Sequence, residues 1–498
     1  MATRTTGLVE AMAPADAGRR VAPVVTPCVR AIPSDWTPLR ALAAVEHLPH
    51  TLFLESGGAV GAGSEWTVLA FDPAWRLELR GGALRRVEGS RVEVLEGDPL
   101  AALAQAWPEG VAMEPRPPIP FASGLAGYLA YELKDWIERY PRKAAREIDL
   151  PDLSLGFYDV VWAWNRGTGE AWCVSTGLPE GDAGAREERA RERLLNHWRI
   201  LEAAPARPAV SPAGSVVARA HRPRATSNFT RDAYLRMVER ALGHIAAGDI
   251  YQVNLAQRFR VESAPPLPQL YRSLRNASPA PFLAYLSLAD GGIASSSPER
   301  FFRVEGNRIE TWPIKGTRPR GGTPAEDLGL AKALQASDKD RAENVMIVDL
   351  ERNDLGRICE IGSIRVPALF EVSSHSNVHH LVSRVEGRIR PGVKPVDIIR
   401  ALFPGGSITG APKIRAVEII DDLEPAQRGV YTGAIGYWDV SGNCDWNIAI
   451  RTIVATGGAA SFHAGGGIVA DSTPEAEYEE TLVKAAGMML ALGVTWER

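Results

Sequence analysis

Two stretches of the chain set carboxylates at helical spacing. In residues 337–357, "SDKDRAENVMIVDLERNDLGR", Asp340 and Glu343 stand three apart, so a helix would place them on one face while Val345, Met346 and Val348 cover its buried sides. In "STPEAEYEETLVKAAGMML", Thr473 followed by Pro474 is an N-cap with proline at the first helical position, which predicts a helix from there. Along it Tyr478, Leu482, Ala485 and Met489 form an apolar stripe, and Glu477, Glu480 and Lys484 form a polar stripe beside it. Each pair alone reads as a solvated face with an ordinary Glu480–Lys484 ion pair. Four carboxylates from two helices, however, suit Mg²⁺, which takes few protein ligands, keeps several waters and leaves room for a substrate carboxylate.

A second chemical feature is an amine. In "TWPIKGTRPRG" (311–321), Lys315 lies between the Pro313-Ile314 step and a Gly316-Thr317 turn, where it could be a solvated charge, a phosphate clamp or a nucleophile. The last role needs the neutral form, which an ordinary lysine of pKa about 10.4 supplies in roughly one molecule in a few thousand at pH 7. Desolvation or neighbouring cations must then lower its pKa, and Arg318 and Arg320 are the nearby candidates. In "NVHHLVS" the alternation of a strand would turn His380 toward a site, for proton transfer, and His379 away from it. "PGGSITGAPK" (404–413) has the glycine spacing of a phosphate loop, but Ala411 stands where the lysine must follow, which excludes a nucleotide site. "HAGGGIVADS" (463–472) reads as following a strand. Its glycines either turn backbone amides inward to hold a carboxylate or form a plain tight turn.

The elements that must position these groups belong to a large globular chain. With 498 residues, 45% hydrophobic residues and a net charge of −4, it can bury a sizeable core and lacks the basic surface of a nucleic-acid binder. Cys28, Cys173, Cys359 and Cys444 are scattered, which argues against a disulfide framework or zinc site and for the cytosol. Residues 1–25 read as a loose, disordered tail whose Arg19-Arg20 pair precedes no apolar run, and no stretch approaches the roughly 18 apolar residues that cross a bilayer. An N-terminal region, 26–202, holds strand-like segments "HTLFLES", "EWTVLAFD" and "FYDVVWAWN". A Pro- and Ala-rich linker, 203–226, separates it from a catalytic domain, 227–498. That domain opens with the helical pattern "RDAYLRMVERALGHIAAGDI", with Tyr234, Val238, Ala241 and Ile245 on one face.

Nine segments in a fixed order, "GDIYQVNLAQRF", "SSSPERFF", "PIKGTRPRG", "DKDRAENVMIVDLERNDLGR", "HHLVS", "PGGSITGAPKIRAVEIIDDLEP", "YTGAIGYW", "NIAIRT" and "AGGGIVADSTPEAEYEET", resemble the chorismate-utilising enzymes: the anthranilate, aminodeoxychorismate, isochorismate and salicylate synthases. They span residues 248–484. The resemblance implies an α/β (α+β) fold of the anthranilate-synthase type, two packed antiparallel sheets flanked by helices, with strands from both halves of the chain. It also implies that Glu343 and Glu480, with Asp340 and Glu477 beside them, hold Mg²⁺ and through it the ring carboxylate of chorismate. Tyr431, Arg451 and the amides of Gly466 and Gly467 would bind the enolpyruvyl carboxylate, with charge added by Lys484. Glu299 and His380 would assist departure of the ring hydroxyl, which Thr317 would position. The first half is similar more loosely, through "LFLESGG" and "GLAGYLAYEL"; with the turn "SPAPF" it implies that Ser56, Pro281 and Phe282 line a tryptophan pocket.

Two positions separate branches of this family. The isochorismate and salicylate synthases carry a water-activating lysine where this chain has Gln252, an amide that cannot act as a base. Anthranilate synthases typically show Ala where this chain has Lys315, whereas "PIKGT" is similar to the aminodeoxychorismate branch. There the lysine would attack C2, expel the C4 hydroxyl and direct ammonia to C4. None of the four cysteines has a glutaminase-like Gly-x-Cys-x-Gly context, so ammonia is expected from a separate glutamine amidotransferase subunit. With the last motif so near Arg498, no fused lyase is expected.

Overall fold

The computed structural model describes residues 23–57, 65–108, 110–203, 224–374, 378–494 and 496. Most of the expected tail, 1–22, and of the expected linker, 204–223, lies outside these residues. At their borders, Val24–Val25 pairs with Ala112–Met113, and Thr226–Ser227 pairs with the strand Gln252–Val261.

Strand segments buried on both faces read as continuous apolar runs, and their alternation appears only when the two faces are sorted. In Val160–Asn165, Val161 and Ala163 enter one core while Val160, Trp162 and Trp164 enter another. The first core lies between two antiparallel sheets, each of twelve strands among the described residues, and the second lies between one sheet and the helices outside it. Trp162 is fully buried there in a three-ring cluster with Trp36 (6.1 Å) and Trp198 (5.2 Å) of the covering segments, whose rings are themselves 5.6 Å apart.

The first sheet runs from the edge strand Ile314–Pro319 through Val378–Arg388, Arg308–Trp312, Arg300–Glu305, Cys444–Ile448 and Ala434–Asp439. It continues through Gly124–Leu129 into strands of the N-terminal region. The second runs from Thr226–Ser227 through Gln252–Val261, Ala459–Ile468, Thr452–Thr456, Gly291–Ser297 and Phe282–Leu288, then through Leu52–Glu55 into N-terminal strands. Two strand pairs, Ala434–Asp439 with Gly124–Leu129 and Phe282–Leu288 with Leu52–Glu55, therefore join the halves of the chain.

"FYDVVWAWN" is not one strand. It breaks at Asp159 into Leu153–Tyr158 of the first sheet and Val160–Asn165 of the second. Asp159 is wholly buried and accepts hydrogen bonds from Arg193 at 2.8 and 3.1 Å, which compensates its charge at the crossing point.

Both acid-bearing helices form. Asp338–Gly356 is capped by Ser337, whose hydroxyl accepts from Asp340 N at 3.3 Å. Its buried side differs from the expected one: Val345 is 41% exposed, and Asn344, Ile347, Val348 and Glu351 face inward. Asn344 bridges to the neighbouring strand, donating to Leu381 O and accepting from Ser383 Oγ, so a polar residue occupies the contact face. Pro474–Leu492 starts at Thr473 as expected, and Tyr478, Ala485 and Met489 are buried. The helix Arg231–Ala246 buries Tyr234, Val238 and Ala241. No helix is long and apolar enough to cross a membrane among the described residues, and all four cysteines are free.

Candidate active site

Lys315 sits on the edge strand Ile314–Pro319, where Gly316, at φ 82°, lets the backbone pass against Asp340. Its side chain turns into the protein and Nζ donates to Ser407 O at 2.9 Å, in the turn Gly406–Ile408. Burial lowers its pKa, with Lys484 adding to the effect, while Glu299, Glu343 and Glu480 oppose it. The two arginines named as candidates do not take part. Arg318 pairs with Asp340 at 2.8 Å and Arg320 with Asp327 at 2.6 Å, so their charges are spent on other carboxylates.

Glu299 is 5% exposed and accepts from Ile314 N at 3.4 Å. Burial raises its pKa, against the pull of Ser407 and Lys315, the direction a general acid needs. Across the strand pair, His380 Nδ1 lies 3.0 Å from the Thr317 hydroxyl. His379 points the other way, its two ring nitrogens meeting Ser374 Oγ at 2.8 Å and Asp327 at 2.9 Å.

The acidic groups approach from two helices. Burial raises the pKa of Glu343, with Asp340 and Glu480 adding to it and Lys315 and Lys339 opposing. Burial also raises Glu477, which its spacing places on the polar stripe; it is 6% exposed because it tucks under Ser472, whose hydroxyl donates to Oε1 at 2.6 Å. Its Oε2 is buried with no partner. Glu480 forms the ordinary ion pair with Lys484 at 2.7 Å; desolvation alone would raise it, but Lys484, Lys339 and Lys315 hold it below its usual value.

A Cβ on Gly466 would stand 3.0 Å from Glu477 Oε2 and 3.2 Å from Glu480 Oε1, so this glycine keeps clear the face where those oxygens converge. Among the described residues no three acidic, cysteine or histidine side chains close around a cation by themselves. The donor set of hard oxygens, one of them an orphan, fits an ion that takes few protein ligands and fills its shell with water and substrate.

The glycine run is not a turn, as one reading had it, but the end of the strand Ala459–Ile468. Asn254 and Ala256 of the neighbouring strand give their amides to Thr409 O and Glu424 Oε1, so their partners Gly467 and Gly465 form non-hydrogen-bonded pairs. The amides of Gly465 and Gly467 thus point to the strand's far edge, where Lys484 Nζ donates to Gly465 O at 2.9 Å, while that of Gly466 points into the ladder. A Cβ at Gly467 would strike Gln252 Nε2 at 2.4 Å. Gln252 is fully buried with both amide atoms unpartnered.

Arg451 has φ 50° and its guanidinium makes no hydrogen bond or ion pair among the described residues; burial lowers its pKa, with no carboxylate to compensate. A carboxylate ligand would relieve that charge. Tyr431 is 9% exposed, stacks on His463 at 5.0 Å, and burial pushes its pKa to about 12. Ser56, Pro281 and Phe282 meet where Leu52–Glu55 pairs with Phe282–Leu288, with Gly57 N donating to Pro281 O at 3.3 Å.

Two features escaped the sequence reading. Arg428 is 3% exposed and bonds Glu424 through Nε and Nη2 at 2.8 and 2.6 Å, also reaching Asn254 O and Ile408 O. The only sequence signal was an i,i+4 Glu/Arg pair across a helix end. Ser407 acts through its carbonyl, which side-chain chemistry cannot announce.

The chorismate binding enzyme family matches residues 50–490. Aminodeoxychorismate synthase component 1 of Salmonella typhimurium is 40% identical, covering 92% of this chain and 97% of its own. Anthranilate synthase component 1 of Thermus thermophilus is 38% identical, covering 92% and 95%. Among solved structures, anthranilate synthase component I from Streptococcus pneumoniae superposes with a TM-score of 0.75 at 31% identity, covering 86% of this chain and 93% of that one.

Proposed function

The chain belongs to the chorismate binding enzyme family, and from that membership we propose that it is the aminodeoxychorismate synthase component I of its source, converting chorismate and ammonia to 4-amino-4-deoxychorismate. The observation that carries this reading is Lys315: its amine is turned into the site beside Glu299 and Glu343, in surroundings that lower its pKa.

Arg451, Tyr431 and the outward amide of Gly467 would bind the enolpyruvyl carboxylate, and Lys484 would add positive charge at the same edge. Glu343 and Glu480, with Asp340 and Glu477 beside them, would hold Mg²⁺. When bound, that ion neutralises carboxylate charge and anchors the ring carboxylate. Neutral Lys315 forms a bond from Nζ to C2 as the C4–O bond breaks. Glu299, whose pKa burial raises, gives the departing hydroxyl its proton so that water leaves. Thr317, paired with His380, orients that hydroxyl. Ammonia then bonds to C4 and the Nζ–C2 bond breaks, restoring the lysine. Gln252, an amide in a closed wall, gives water no base at C2.

Ammonia would come from a glutamine amidotransferase partner, and the product would serve p-aminobenzoate and folate synthesis in the cytoplasm. Ser56, Pro281 and Phe282 are the residues we propose for a tryptophan pocket.

The test is Lys315→Ala beside the native chain, with chorismate, Mg²⁺ and ammonium. Intact-protein mass spectrometry is expected to find an adduct on the native chain alone, and fluorescence to show the variant's product moving toward anthranilate. Anthranilate as the main product of the native chain would assign it to the anthranilate branch, to which the Thermus thermophilus relative belongs by name.

A further inference from the structure

The motif "GLAGYLAYEL" (124–133) has no part in the chemistry above. Its first six residues are the strand Gly124–Leu129, and its end opens the short 3₁₀ helix Tyr131–Trp136. That short helix grips residues 421–432, the segment that carries Tyr431. Tyr131 N donates to Gly429 O at 2.7 Å, and Lys134 Nζ donates to Asp421 at 2.9 Å. Glu132, 7% exposed, accepts two successive backbone amides, Arg428 N at 2.9 Å and Gly429 N at 3.0 Å. The Arg428 guanidinium lies over the Tyr131 ring at 4.9 Å and the Tyr431 ring at 5.7 Å.

The gripped segment requires such support. Thr432, a β-branched residue, has φ 59°, a conformation that persists only where the surroundings over-determine it. Its immediate ties, Thr432 N to Ala449 O and Thr432 Oγ1 with Arg428 Nη1, fix one end; the other end, at 428–429, is fixed by Glu132.

We infer that Glu132 is a positioning residue: by holding the amides of Arg428 and Gly429 it sets the loop that presents Tyr431 to the substrate's carboxylate. The inference rests on the proposed function, which gives Tyr431 that ligand. The N-terminal half of the chain thereby sets chorismate affinity without touching chorismate.

Burial raises the Glu132 pKa to about 7 despite its two amide bonds, with Asp152 and Asp135 adding to the rise and Lys134 opposing it. Arg146 and Glu147 of the flanking segment, and Glu424 and Arg428 of the loop, line the two crevices that Glu132 separates. When protonated, Glu132 turns an O–H toward a backbone N–H and loses an acceptor, so the loop loosens below that pH.

Steady-state kinetics of the full chain with chorismate, Mg²⁺ and ammonium, from pH 6 to 8.5, test this on Glu132→Gln and Glu132→Asp, with hydrogen exchange of the free proteins. For Glu132→Gln the KM for chorismate is expected to rise about tenfold with kcat changed less than about threefold. The native rise in KM below about pH 7 should vanish in Glu132→Gln, part of the affinity should return in Glu132→Asp, and faster exchange should be confined to residues 428–433. An unchanged KM in Glu132→Gln, or equal losses in kcat and KM with exchange raised throughout, overturns the inference. Should Glu132→Gln not fold, a flat KM across the pH range in Glu132→Asp and the native chain overturns it. A native chain that does not turn over chorismate defeats the proposed function first, and this inference with it.

Discussion

At the scale of single residues, the site combines charges that solvent would never leave so close together. Glu299, Glu343 and Glu477 all have raised pKa values from burial, and Lys315 a lowered one from the same cause. Beneath them, Glu351 is 4% exposed, next to the Asp354–Lys413 pair, and burial with the nearby Asp354 raises its pKa well above the carboxylate range. A carboxyl raised on folding stabilises the fold below its unfolded value of 4.5, and that contribution is lost as pH climbs through the folded value. Glu351→Gln keeps the shape without the ionisation. Urea denaturation at a series of pH values should therefore show the variant gaining on the native chain as pH rises above about 5, with no gain below it. The functional types at 315, 343 and 480 were legible as residues. The burial that sets their chemistry was not: periodicity placed Glu477 on a polar stripe but could not show it tucked under Ser472, which lies before the helix begins.

The elements show why spacing alone carried part of the site. The helix start at Thr473 and the carboxylate pairs of both helices are local facts of sequence. The glycine run at 465–467 is not, because its meaning depends on which strand and which helix lie opposite. Its central residue stays clear of two carboxylates, so Gly466→Ala would put a methyl 3.0 Å from Glu477 and 3.2 Å from Glu480. The fold should survive, since both contacts are side-chain ends. The Mg²⁺ concentration for half-maximal chorismate turnover should rise roughly tenfold, about 1.4 kcal/mol, in a metal titration. An unchanged midpoint would remove these carboxylates from the metal's surroundings. The inward face of Asp338–Gly356 was misread for the same reason: Asn344 is buried by its bonds to Leu381 and Ser383, a pairing that hydrophobic patterning cannot register.

At the scale of the whole molecule, the two-sheet architecture followed from the resemblance and not from patterning, because the pairings that define it join residues far apart in sequence. Asp159 is the clearest case. One polar residue inside an apolar run marks the passage from one sheet to the other, and it is held there by Arg193. Asp159→Asn should leave that guanidinium with Asp72 as its remaining carboxylate and cost about 3–5 kcal/mol, read as a fall in the urea midpoint. A midpoint within error of the native one would mean that solvent compensates the arginine.

The interleaving of Gly124–Leu129 with Ala434–Asp439 also bears on how the protein is made. The earlier strand leaves the ribosome about 300 residues ahead of its neighbour, which at about 5–20 residues per second is roughly 15–60 s. During that interval the nascent chain displays a bare, apolar strand edge, the kind of surface that other chains pair with. Yield during expression should therefore depend on translation speed and on chaperones that shield such edges, even where the finished enzyme is stable.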